Sequence, residues 1–217
     1  MPANVVLNIL TAAIGGFGIL TLLVFLQIPA SFDLKTIIFI QLIFPRALDT
    51  PLSLLSPIGS FEVTTAVLLA LIITKYGKNL KLIITIFSLF IFGTLVELAG
   101  KFLLYHPSPP KLFFRNTGIL FPSTYIHTNY SFPSGHMFRT TFIVVLLLYL
   151  LIGKRGKLLP VITLLLFLSL MAVSRVYLGE HWVSDVIGGI LLGVFVGTLS
   201  LWIIKNKQFS QKNKPQK

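Results

Sequence analysis

The chain has 217 residues, of which 55% are hydrophobic and only 11% charged, and its mean hydropathy is +0.90. That composition excludes an ordinary soluble domain and indicates a protein that crosses the bilayer several times. The formal net charge is +12. The basic residues gather in short loops and the C-terminal tail, the pattern that sets membrane topology, so no nucleic-acid partner is expected. Cysteine is absent, which excludes disulfides, thiol redox chemistry and thiolate metal sites.

In chain order, residues 5–29 form a first apolar segment. It is too long for a signal-peptide core and lacks a basic start, so it reads as a retained span. Residues 31–56 carry Asp33, Lys35, Arg46 and Asp49 and are interrupted by Pro45 and Pro51. They read as an interfacial amphipathic segment. Further spans are expected at about residues 58–74, 82–104, 134–152, 158–177 and 182–204. The longest polar loop, residues 105–133, is rich in proline and aromatics, and unstructured loops of that length tend to be functional. The expected fold is all-α: a six-transmembrane-helix bundle with an interfacial segment between helices 1 and 2. It forms one domain over residues 1–217, with a basic tail at about 205–217.

Charge orients the bundle. Lys75, Lys78, Lys81, Lys154, Arg155, Lys157 and the tail lysines fall on one side if there are six spans. By the positive-inside rule that side, with both termini, is cytoplasmic. The long loop and the turn at residues 178–182 then face outward at the cell membrane.

Three polar islands lie at span ends on the outer side. One is Lys101 with His106-Pro107-Ser108-Pro109-Pro110, one is Pro133-Ser134-Gly135-His136, and one is SRVYLGEHWVSD from Ser174 to Asp185. A charge at the bilayer centre costs about 3 kcal/mol on insertion scales, so such a cluster marks a candidate functional site. His181 and Asp185 are four apart, so a helix starting there puts both on one face and lets the carboxylate orient the imidazole. Lys101 and Arg175 supply positive charge. Ser134 and the amides after it sit where a helix begins, a ready site for an anion. His136 and His181 can serve as proton donor and nucleophile. No carboxylate cluster suits a divalent metal, so no metal and no cofactor are expected. The set suggests phosphoryl transfer through a phosphohistidine.

These motifs resemble those of the type 2 phosphatidic acid phosphatase superfamily, the membrane lipid phosphate phosphatases, whose patterns are KxxxxxxRP, PSGH and SRxxxxxHxxxD. The third is matched by Ser174, Arg175, His181 and Asp185, and the second by Pro133, Ser134, Gly135 and His136. In the first, Lys101 and Pro109 match, while Ser108 stands where the family has arginine. The resemblance implies that His181 attacks phosphorus, Asp185 orients it, and His136 protonates the leaving oxygen. Lys101, Ser134, Gly135 and Arg175 would hold the phosphate oxygens. The implied activity is metal-independent hydrolysis of the terminal phosphate of a lipid: phosphatidic acid, phosphatidylglycerol phosphate or a polyprenyl pyrophosphate. The implied partners are that lipid and the bilayer. Alternatives are a lipid or sugar phosphotransferase using the same phosphohistidine, a vanadate-dependent haloperoxidase, and a catalytically impaired lipid-binding protein. Serine cannot replace the planar fork of arginine, so Arg139 or Arg115 is expected to supply the missing cation, with Lys111 a third candidate. Glu97 stands four residues before Lys101, the favoured order for a helical ion pair. His106 reads as a solvated loop residue, as does His127. Phe113, Phe114, Phe121, Tyr125 and Tyr130 read as an interfacial belt.

Overall fold

The computed structural model describes residues 2–77, 79–117, 128, 130–151 and 158–212, with no side chain described beyond residue 206. His127, Phe121, Tyr125, Lys78, Lys154, Arg155, Lys157 and the distal tail lysines lie outside this set. Among the described residues the regular structure is helical. It comprises α1 (Ala3–Phe25), α2 (Ala30–Ile43), α3 (Asp49–Leu55), α4 (Phe61–Tyr76), α5 (Leu80–Leu103), α6 (Gly135–Leu151), α7 (Leu158–Tyr177) and α8 (Val183–Lys212).

Start signals are local. Ser60 Oγ accepts from Val63 N–H at the head of α4, and Asn79 Oδ1 from Leu82 N–H at the head of α5. Each satisfies one of the backbone donors that a helix start leaves open. Inside the helices the residues are mostly Leu, Ile, Val and Phe, many of them exposed, as a lipid-facing surface requires.

Four helices are long and apolar enough to cross a membrane: α1, α5, α7 and residues Val183–Asn206 of α8. A bent pair, Ala30–Ile43 with Arg46–Gly59, turns through 96° and counts as a fifth at most, while α6 is apolar but shorter. The described residues therefore give four or five candidate spans, where six were expected. Residues 31–56 are also more regular than their prolines suggested. Pro29 precedes α2 and Pro45 follows it, so these prolines bound a helix rather than interrupt one. Pro51 sits in the first turn of α3, where its missing N–H costs nothing.

The most extensive helix pair is α6 with α8, and α1 packs on the same helix. Glycines make the first contact close. A β-carbon at Gly193 would stand 2.6 Å from Thr141 Cβ and 2.7 Å from the Phe138 carbonyl oxygen, and one at Gly197 would stand 3.0 Å from the Val145 side chain. Small residues at such spacing let two backbones approach where lipid offers no hydrophobic driving force. Around this pair, Phe90 of α5 stacks on Phe138 and tilts against Phe142 of α6, and Leu68, Ile72 and Ile86 complete a buried core. At one end of the bundle Lys75, Tyr76, Ile86, Leu150 and Ile204 line a common cleft. The opposite end gathers the C-termini of α5 and α7 and the N-termini of α6 and α8.

Because even one added carbon must push α6 from α8, Gly193→Leu is expected to lower the unfolding midpoint of the detergent-solubilised protein. Overpacking of this kind costs about 1–3 kcal/mol. A thermal unfolding curve of Gly193→Leu that overlays the native one would count against this packing.

Candidate active site

The site begins with the way α7 stops. Gly179 has φ +70°, a left-handed conformation that suits glycine. Gly179 N–H donates to the Val176 carbonyl at 3.0 Å and Glu180 N–H to the Arg175 carbonyl at 3.1 Å. This is the paired bonding of a Schellman C-cap. His181 N–H also donates to the Arg175 carbonyl, at 3.2 Å. The chain thus folds back over Arg175, and Glu180 comes to pair with its guanidinium. Arg175 is fully buried. It also donates to Ser56 Oγ at 2.8 Å and to Ser174 Oγ at 3.2 Å, so a buried charge is matched on several sides.

Two residues past the turn, α8 begins. Asp185 lies in its first turn and reaches back, accepting from Trp182 N–H at 3.0 Å through Oδ2. This is the backward half of a capping box. The same oxygen lies 3.2 Å from His181 Nδ1. The ionised carboxylate only accepts, so the proton of that contact sits on Nδ1 and the lone pair is left on Nε2. The four-residue spacing of the sequence is therefore realised as a contact, and both residues are buried.

The second island reaches the same place through its backbone. Ser134 N–H donates to the Asp185 carbonyl at 2.9 Å, fixing the start of α6 against the start of α8. Ser134 Oγ is buried and takes no hydrogen bond. The His136 ring packs on Gly59, where an added β-carbon would meet His136 Cδ2 at 2.7 Å. It lies within electrostatic range of Arg175, Arg139, His181 and Lys101.

The first island arrives on α5. Lys101 Nζ pairs with Glu97 Oε1 at 2.6 Å, and Arg139 Nη1 pairs with Glu97 Oε2 at 2.8 Å. Glu97 is buried, and its carboxylate lies against Gly135, where an added β-carbon would stand 2.2 Å from Oε1. A side chain at position 135 would have to displace a carboxylate held by two ion pairs. Glu97 also feels the charge of His181. A buried carboxylate bridging two cations neutralises charge gathered at the head of α6.

Of the three substitutes for the absent motif arginine, Arg139 is in this cluster, and its Nε has no hydrogen-bond partner. Arg115 points elsewhere: it donates to the Gln41 carbonyl at 3.0 Å and the Phe44 carbonyl at 3.3 Å, closing the C-terminus of α2, and stacks 5.0 Å from the Tyr177 ring centre. Lys111 and Ser108 are exposed. His106, expected to be a solvated loop residue, is only 4% exposed. Its Nε2 lies 3.1 Å from Ser184 Oγ and 3.3 Å from Asp185 Oδ1. The chain from α5 turns inward here because Trp182 Nε1 donates to the Pro107 carbonyl at 2.7 Å, and Ser131 N–H and Oγ both bond the His106 carbonyl at 3.0 Å. Asp33 of α2 was also missed. It is buried and accepts from Ser184 N–H at 2.9 Å. The only hint in the sequence was a lone carboxylate in an apolar stretch.

Comparison with known proteins gives a consistent picture. Over 96 residues the chain is 33% identical to phosphatidylglycerophosphatase B of Bacillus subtilis, covering 39% of this chain and 45% of that protein. Over 128 residues it is 34% identical to undecaprenyl-diphosphatase of Sulfolobus acidocaldarius, covering 59% of this chain and 58% of that one. The chain thus spans about half the length of these curated relatives. Its fold is that of a transmembrane PAP2-type phosphatidylglycerolphosphate phosphatase from Bacillus subtilis, with a TM-score of 0.69 at 21% identity over 95% of this chain and 98% of that one. Residues 81–209, which include every side chain of the three motifs, match the family model of the PAP2 superfamily, and the chain belongs to that superfamily.

Proposed function

We propose that this protein is a membrane phosphatase that removes the terminal phosphate of a lipid phosphate or lipid pyrophosphate through a phosphohistidine on His181. The observation that carries the reading is the His181–Asp185 contact, set among His136, Arg175, Lys101 and Arg139, where the helices carrying the three motifs end. With Nδ1–H directed to Asp185, the free Nε2 lone pair of His181 attacks phosphorus. The P–Nε2 bond forms as the bond to the leaving oxygen breaks, and His136 gives that oxygen a proton. His136 then takes a proton from water, whose oxygen attacks the phosphohistidine and releases phosphate and the free ring. Charge on the equatorial oxygens is the main thing to stabilise in phosphoryl transfer. Arg175, Lys101, Ser134 Oγ and the Gly135 amide supply that stabilisation. Arg139 takes the part of the arginine that Ser108 replaces, leaving Glu97 for the phosphate when substrate enters.

The substrate class follows from the setting and the relatives. Phosphatidylglycerol phosphate, phosphatidic acid and polyprenyl pyrophosphates all keep their tails in the bilayer while a phosphate reaches the helix ends. The membrane arrangement proposed is six spans, with α4 and α6 as the short ones and residues 31–56 toward the interface. The termini are cytoplasmic and the site is on the outer face of the cell membrane. The gathering of Lys75 and the α8 C-terminus at the end opposite the site supports that orientation.

Phosphate release from a panel of lipid phosphates in detergent, with chelator present, is expected for the native chain. It should fall to background in His181→Ala. In Asp185→Asn it should fall by roughly 10³–10⁴-fold, as when a catalytic histidine loses the carboxylate that sets its tautomer. Chelator-sensitive release, or full activity in His181→Ala, would contradict the mechanism.

Arg139→Met is expected to reduce kcat/KM by about 10–100-fold, the worth of a charge-assisted bond to phosphate. It should be measured together with Glu97→Gln, so that no buried carboxylate is left unmatched. Arg115→Met should leave kcat/KM within about 2-fold of native, because its two hydrogen bonds to the Gln41 and Phe44 carbonyls at the end of α2 contribute to stability and not to phosphate binding. Native kcat/KM in the Arg139 variants would remove Arg139 from the site.

A further inference from the structure

Asp185 is held on one side by His181 and Trp182, and the residues on its other side belong to no motif. Asp33, His106 and Ser184 come from α2, the segment after α5 and the head of α8, and all are buried. Asp33 Oδ1 accepts from Ser184 N–H at 2.9 Å, and its Oδ2 lies 2.6 Å from Ser184 Oγ. A carboxylate can only accept, and a hydroxyl has one proton. Ser184 Oγ therefore gives its proton to Asp33, and its remaining contact, His106 Nε2 at 3.1 Å, must be a donor. The same ring nitrogen lies 3.3 Å from Asp185 Oδ1, a buried oxygen that takes no hydrogen bond.

We infer that His106, oriented by the Asp33–Ser184 pair, is a positioning residue for the reaction: its Nε2 stands beside Asp185 Oδ1 and so fixes the carboxylate that orients His181. The Asp185 carboxylate then has an imidazole on each oxygen. The positive N–H end of the His106 ring beside Oδ1 draws negative charge away from Oδ2. His106 thus shares the charge of Asp185 with His181, so that the carboxylate orients the ring without holding it as an imidazolium, and the Nε2 lone pair stays free to attack. The titratable groups facing this carboxylate are His181, His106 and, across Ser184, Asp33. His181 in turn feels Glu97 and His136. The inference rests on the phosphatase reading above.

The test compares native protein, His106→Leu and His106→Gln, the last of which keeps an N–H donor at similar reach. Removing a hydrogen-bonding partner one shell out from a reacting group typically costs 10–100-fold. His106→Leu is expected to lower kcat by about that much while KM moves less than about 3-fold. The acid limb of its kcat/KM profile should move to higher pH, because an uncompensated Asp185 keeps His181 protonated longer. His106→Gln should recover most of kcat and the native acid limb. Native kcat and acid limb in His106→Leu, or no recovery in His106→Gln, would overturn the inference while leaving the phosphatase reading intact. Should the native chain release no phosphate, ¹⁵N NMR of labelled histidine still decides the geometry. A proton on His106 Nε2 is expected, and the tautomer protonated only on Nδ1 would overturn it.

Discussion

The structure turns on one buried carboxylate. Asp185 closes the first turn of α8 through Trp182 N–H, orients His181 through the same oxygen, and takes the Ser134 amide on its backbone carbonyl. A carboxylate with no exposed surface is tolerable only when donors surround it. That requirement brings the turn after α7 onto the start of α8, and the backbone bond from Ser134 ties the start of α6 to the same residue. The helix packing behind them serves the same end. Gly193 and Gly197 let α6 approach α8 closely enough for Ser134 to reach Asp185. Gly179 ends α7 in a conformation that brings His181 back over Arg175.

Around this point charges are arranged in matched sets. Arg175 is paired with Glu180, which Asn116 also holds at 2.5 Å. Glu97 joins Lys101 to Arg139. Each set places cations at helix ends while keeping a carboxylate beside them. In a low-dielectric site this keeps the empty state stable and leaves charge ready for an anionic headgroup. The absent motif arginine fits this scheme. Ser108 is on an exposed stretch, while Arg139, one helical turn after His136, enters from inside the bundle.

Much of the site was legible because its key relations are short in sequence. The His181–Asp185 spacing, the Glu97–Lys101 pair and the helix start at Ser134 are each local, and each appears as read. The interactions that were not legible span long separations. Asp33 and Ser184 are 151 residues apart, and His106 and Ser184 are 78 apart. Nothing near His106 distinguishes it from a histidine in water, and its burial depends on Trp182 and Ser131 drawing the loop inward. Arg115 was a reasonable phosphate ligand by charge alone, but the open carbonyls of α2 claim it. The span count is less legible for a related reason: hydropathy marks an apolar stretch and not the length of its helix, so α4 and α6 come out short, and the prolines of residues 31–56 fall at helix boundaries.

The central claim is that the imidazole held by Asp185 becomes covalently phosphorylated. The direct measurement is rapid quenching of the purified protein during turnover of a lipid labelled in its terminal phosphate, followed by mapping of the labelled peptide. The account predicts a base-stable, acid-labile phosphate on His181, absent from His181→Asn. Label on Ser134 or His136, or a base-labile linkage on any residue, would contradict it.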